Sequence, residues 1–197
     1  MKQEITDRFA LNITRVKNLV AIYKNLLAGQ GKGRRGHKKT DVLRAATVLL
    51  HASVEDVLRS LAYWKLPTAP ATALENIPFV GGTATKITLG ILSSQRGKSV
   101  DDVIKESVHA NLERSNYNNA KEICSLLESI GLNTLTVQPY LQQLEDAMRR
   151  RHQIVHRADA NQNAGRGHHQ VTSIAPKTVD GWVANAEQFI QTLLNQV

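Results

Sequence analysis

The 197-residue chain has a single cysteine, Cys124, which excludes an internal disulfide framework and any cysteine-based zinc cluster. It has no apolar run approaching membrane-spanning length. Its charged start, Met1 to Arg8, lacks the basic-then-apolar layout of a secretion signal. A cytoplasmic protein with no membrane partner is the expectation. Strand-like alternation and solenoid-length repeats are both missing. So are the common catalytic signatures. Gly97-Lys98-Ser99 resembles the end of a phosphate-binding loop, but position 92, where that motif needs glycine, is Leu92, and no strand precedes it. No Gly-x-Ser-x-Gly elbow occurs, and no glutamate follows His152 as zinc proteases require. His152 with His156, and His168 with His169, lack a third ligand, so neither a metal nor another cofactor is expected.

What is abundant is positive charge, and it is concentrated. Lys and Arg number 25 against 17 Asp and Glu. Gly29 to Lys39 carries Lys32, Arg34, Arg35, Lys38 and Lys39, and Arg149 to Arg157 carries four arginines, neither stretch containing an acid. Without these nine the chain has 16 bases against 17 acids, so the surplus belongs to two patches and not to the surface at large. Clustered cations neutralise phosphates and release counterions, which points to a polyanion such as a nucleic acid as partner through Lys32, Arg34, Arg35, Lys38, Lys39, Arg149, Arg150 and Arg157. The blander reading of either run is a solvated basic loop.

Apolar residues recur at helical spacing almost throughout. Ile5, Phe9, Ile13, Val16, Val20, Tyr23 and Leu27 form one face of a first helix that Gly29 ends. Thr40 is placed to cap a second helix carrying Leu43, Ala46, Leu50, Val54, Val57 and Leu61. Between Lys65 and Gly97 the pattern weakens, with loops and one short helix near Lys86 to Leu92. Ser99 and Asp102 form a capping box ahead of Val100, Ile104, Val108 and Leu112, and a further helix runs through Ile123 and Leu127 to Gly131. A long helix from about Val137 to His156 and a terminal one opened by Pro176 complete the set. The expected fold is an all-α helical bundle with an irregular, partly helical central insert. It forms one domain over 1–197, with a helical hairpin at 3–63, the insert at about 65–135, and the last two helices at 137–197.

One anomaly stands out. The apolar seam of the long helix reads Val137, Leu141, Leu144 and Met148, and then reaches Arg151 before Val155. At 100° per residue Arg151 lies about 20° from Leu144, so a guanidinium is aimed where a hydrophobe belongs. An unpaired buried charge costs several kcal/mol. Arg151 therefore meets a carboxylate such as Glu55 or Asp56, opens into a cleft, or faces a partner chain. His152 and His156 flank the same seam. Histidine exchanges protons near neutral pH and arginine supplies a fixed charge for a crowded phosphate, a pairing suited to phosphodiester cleavage without a metal. One histidine serves both sides of an in-line displacement poorly, and Arg151 and His156 lie about 140° apart around the helix. A two-fold homodimer with a composite active site answers both difficulties.

Arg-x-x-x-x-His is a weak signal alone, but the string Arg151-His152-Gln153-Ile154-Val155-His156-Arg157-Ala158-Asp159 is longer. It resembles the motif of the HEPN superfamily. The segments Leu43 to Leu61 and Gly97 to Ile104 look like the earlier helix and the insert of the RiboL-PSP-HEPN branch. The resemblance implies a dimeric α-helical domain and a metal-independent endoribonuclease leaving a 2',3'-cyclic phosphate. Arg151 and His156 would be its catalytic residues, His152 its polar second position, and Glu55 and Asp159 supporting residues. It also implies a toxin or antiviral setting, with an antitoxin or another partner protein. Ala158 stands where toxins paired with a nucleotidyltransferase carry a tyrosine, so silencing through that tyrosine is not carried over. The alternative is a non-catalytic module that binds nucleic acid or another protein.

Overall fold

The structure, a computed structural model, describes residues 1–27, 37–80, 87–160 and 171–197. Lys32, Arg34, Arg35, His168 and His169 lie outside them, and Lys38 is described in its backbone alone.

The first apolar stripe makes α1 (Lys2–Ile22), continued by one π-helical turn over Tyr23–Leu27. Ile5, Phe9, Ile13, Val16, Val20 and Tyr23 are all buried, as their spacing predicts. α2 (His37–Lys65) runs antiparallel to α1, since Arg8 near one end of α1 pairs with Asp56 near the far end of α2 at 2.6 Å. Thr40 does not cap this helix, which begins earlier, at His37. Buried within the first turns, Thr40 Oγ1 instead accepts a hydrogen bond from Arg44 Nη1 at 2.7 Å.

Beyond a 3-10 turn at Leu66–Thr68 come two short helices, α3 (Ala71–Leu74) and α4 (Leu89–Ser93). The apolar pattern does not announce α3. α4 is the helix expected near Lys86 to Leu92, begun by Thr88, whose hydroxyl accepts from Ile91 N–H; Lys86 lies outside the described residues. The capping box starts α5 (Val100–Leu112): Ser99 Oγ accepts from Asp102 N–H, and Ser99 N–H donates back to the Asp102 carboxylate. α6 (Ala120–Ser129) ends in a Schellman turn, with Leu132 N–H donating to Leu127 O at 2.8 Å and Gly131 N–H to Glu128 O at 3.0 Å. Gly131 takes φ +75°, a left-handed conformation that glycine adopts freely. Val108, Leu112, Ile123 and Leu127 sit in the same hydrophobic core as α1 and α2. α5 and α6 are thus packed into the bundle and are not appended to it.

α7 (Gln138–Arg157) and α8 (Pro176–Leu194) complete the all-α bundle, with α2 central and in contact with α1, α5, α7 and α8. α8 buries Val183, Ala186, Phe189, Ile190 and Leu193 on one stripe, with Trp182 at its edge. Among the described residues there is no strand, only an isolated bridge between Ala160 and Val171. No helix among them is long and apolar enough to cross a membrane.

Candidate active site

The seam of α7 follows its pattern and then leaves the core. Leu141, Leu144 and Met148 are buried, Arg151 is partly buried, and Val155 is 48% exposed. Arg151 therefore stands where the seam opens. Neither acid that could have paired with it does so. Asp56 is held by Arg8 at 2.6 Å, and Glu55 Oε1 accepts from Arg59 Nη2 at 3.0 Å. Among the described residues Arg151 makes no ion pair and no hydrogen bond, and of its nitrogens only Nε is sealed from solvent without a partner. His152 and His156 are exposed on the same helix end, one turn apart, their ring centroids 4.5 Å from each other and tilted by 42°.

On α2, which packs against α7, lies a further histidine. His51 is 5% exposed, its Nε2 3.6 Å from Glu55 Oε2 and without a hydrogen-bond partner. Burial, and then the nearby Arg151 charge, lower its pKa below the usual imidazole value, while Glu55 acts in the opposite sense. Glu55 belongs to a wider network. Arg59 also donates to the carbonyls of Leu112 and Ser115, and burial beside this group pushes the Tyr117 phenol up to about 12.

The arginines around Arg151 divide by direction. Arg149 and Arg157 are exposed, Arg149 meeting Asp146 at 3.2 Å, so both remain on the surface expected to face RNA, as does Lys39. Arg150 does not. It is 9% exposed, its Nη2 donating to Asp159 Oδ2 and to the Thr172 carbonyl, both at 2.7 Å. Arg44 of α2 reaches the same two acceptors, Nε to Asp159 Oδ2 at 2.6 Å and Nη2 to Thr172 O at 2.9 Å. The expectation that Arg150 contacts RNA is corrected by this burial: its Nη2 is committed to an internal carboxylate and a carbonyl and its Nε is sealed from solvent, so the side chain is not turned out towards a phosphate at the surface. Burial and the Arg44 charge lower the Arg150 pKa, and Asp159 opposes them.

Asp159, the acceptor of both arginines, lies in the interior. It is 1% exposed and follows the end of α7 through two consecutive left-handed residues, Ala158 at φ +46° and Asp159 at φ +58°. Aspartate tolerates that conformation; alanine pays sterically for it, at about 1–2 kcal/mol. The Asp159 carboxylate, shared by Arg44 and Arg150, locks the helix end carrying His156 against α2. Of the two residues expected to support the site, Asp159 is joined to Arg150 of α7 and to Arg44, whereas the ion pairs of Glu55 are with His51 and Arg59 of its own helix.

Sequence reasoning passed over Arg44, His51, Arg59 and Tyr117. A signal exists for the first two. Positions 44, 51 and 55 recur at seven and four residues, a polar column about 20–40° wide beside the apolar stripe of α2, which is where a buried polar seam would lie. Among the described residues no three His, Cys, Asp or Glu side chains are grouped to hold a metal ion. In comparisons with protein-family models, curated proteins and solved structures, the chain matches none.

Proposed function

We propose that this chain is an endoribonuclease of HEPN type, in the RiboL-PSP branch, acting as a homodimer in which two α7 ends line one RNA groove. The observation that carries this reading is Arg151, a guanidinium free of any carboxylate among the described residues, placed where the seam opens beside exposed His152 and His156. In the proposed reaction a base takes the 2'-hydroxyl proton, and that oxygen attacks the adjacent phosphorus. The bond to the 5'-oxygen breaks as an acid protonates it, leaving a 2',3'-cyclic phosphate and a 5'-hydroxyl. Arg151 stabilises the charge that builds on the non-bridging oxygens, and His156 acts as acid or base. His152, its ring against His156, orients it. The second proton-transfer group comes from the partner protomer. Lys39, Arg149 and Arg157 hold flanking phosphates, and no metal enters the scheme. A cytoplasmic toxin or antiviral effector, with an antitoxin or other partner protein, is the setting this reading favours.

Purified protein is expected to cleave RNA in the presence of a chelator. Arg151→Ala and His156→Ala should each lower the rate about a hundredfold or more while the circular dichroism spectrum is retained. Mixing the two inactive variants should restore part of the activity if one repaired groove forms per dimer. Undiminished cleavage by both variants overturns the assignment, and RNA binding without cleavage by the wild type supports the non-catalytic module in its place.

A further inference from the structure

The end of α7 presents two imidazoles to solvent side by side. His152 and His156 are both exposed, their ring centroids 4.5 Å apart, and among the described residues neither makes a hydrogen bond or an ion pair. Four residues is the spacing at which one helix face hands two histidines to a zinc ion. With metal–nitrogen bonds of about 2.0–2.1 Å and a tetrahedral angle, two bound rings have their centres about 5 Å apart. A small rotation of two exposed side chains reaches that arrangement from 4.5 Å. Among the described residues no group of three His, Cys, Asp or Glu includes the pair. Two imidazoles with water in the remaining positions make an open, exchangeable site, unlike the closed shell of a structural zinc.

We propose that His152 and His156 chelate a divalent ion of the borderline class, Zn2+ above all, and that its binding reversibly silences the ribonuclease. Imidazole suits Zn2+, whereas Mg2+ demands oxygen ligands. A nitrogen lone pair given to the ion cannot accept the 2'-hydroxyl proton, and the bound dication opposes protonation of the ring that would serve the 5'-oxygen. Arg151 and Arg157, each next in sequence to one of the histidines, repel the ion and keep its affinity modest. As regulation the inference rests on the ribonuclease reading; the chelate itself does not.

Zn2+ is titrated into the full chain by calorimetry, with Mg2+ as the control, in the wild type, His152→Ala, His156→Ala and the double variant His168→Ala/His169→Ala. Both side chains of the pair are exposed, so neither single variant disturbs folding. Zn2+ should bind the wild type and the double variant alike, and Mg2+ neither. Each single variant should weaken Zn2+ by at least about tenfold, since one imidazole alone loses the chelate. Raising salt from about 50 to 200 mM should tighten Zn2+, because the arginine repulsion is screened, and should loosen RNA. With RNA well below saturation, cleavage should be half lost at the Zn2+ concentration that half-fills the site and return with chelator. Zn2+ affinity indifferent to both single variants, or lost only with His168 and His169, overturns the site. Zn2+ held by the pair while cleavage continues undiminished overturns the silencing and the part of His156 in the chemistry. Zn2+ held by the pair in a protein that cleaves no RNA upholds the chelate and sinks the ribonuclease reading; cleavage in a protein that binds no Zn2+ does the reverse.

Discussion

Asp159 offers the sharpest test of how the end of α7 is held. Its carboxylate, 1% exposed, is the shared acceptor of Arg44 at 2.6 Å and Arg150 at 2.7 Å, and both arginines are about nine-tenths buried. Replacing it with alanine leaves two guanidinium groups together with only the exposed Asp41, 3.1 Å from Arg44, as counter-charge. Breaking a buried ionic arrangement by removing one member costs about 3–5 kcal/mol. That is a large fraction of the roughly 5–15 kcal/mol that holds a domain folded. With a urea m-value of about 2–3 kcal/mol per molar for a chain of this size, the denaturation midpoint of Asp159→Ala should fall by about 1.5 M. Asp159→Asn, which keeps an acceptor oxygen but no charge, should fall between the wild type and alanine. The triple change Arg44→Met, Arg150→Met and Asp159→Leu removes charge and counter-charge together, and should return to within about 2 kcal/mol of the wild type. The residual loss is the Thr172 carbonyl, left without its two donors, and the left-handed backbone at position 159, which leucine holds less readily than aspartate. A loss below about 1 kcal/mol for Asp159→Ala, the scale of an exposed pair, would refute the claim that this carboxylate is an internal clamp.

Two further outcomes follow from backbone and charge. Gly131 and Ala158 both hold left-handed φ, and nothing lies within 4 Å of a Cβ at Gly131, so Gly131→Ala should cost about 1–2 kcal/mol through conformation alone. Ala158→Gly should stabilise by about 0.5–1 kcal/mol, and equal thermal midpoints for the two variants and the wild type would contradict the backbone argument. Stability should also fall on both sides of neutrality. The unfolded His51 takes a proton near 6.5 while the folded one resists, so its contribution is complete above 6.5 and lost as pH drops below it. Tyr117, pushed up to about 12, stays neutral when folded while the unfolded phenol ionises near 10, so stability is lost as pH rises from 10 towards 12. Each limb should slope by at most about 1.4 kcal/mol per pH unit from its own group, and His51→Gln and Tyr117→Phe should flatten the acid and alkaline limbs respectively in urea titrations.

Local chemistry made much of the bundle legible. A stripe such as Ile5, Phe9, Ile13, Val16 and Val20 needs only the period of the helix to declare which face is buried, and Ser99 with Asp102 signals a helix start through bonds within four residues. Gly131 marks a stop for the same reason. Thr40 misled because its hydroxyl is the right chemistry for a cap, yet Arg44, one turn on and itself drawn inward by Asp159, claims that oxygen. α3 escaped notice since four residues with no fully buried side chain leave no periodic pattern.

Sequence alone determined that an arginine interrupts the seam of α7, because the period of the helix carries Arg151 to the position after Met148 whatever surrounds it. Tertiary structure decided what that interruption means. Arg150 and Arg151 are neighbours of identical chemistry, separated by 100° around one helix, and only the packing of α2 against α7 directs the first to a buried carboxylate and leaves the second without one. The partners that settle it, Arg44 and Asp159, stand 115 residues apart, and the left-handed turn at Ala158 and Asp159 that unites them is stabilised by the ion cluster it creates. Such mutual dependence has no local period or cap to announce it.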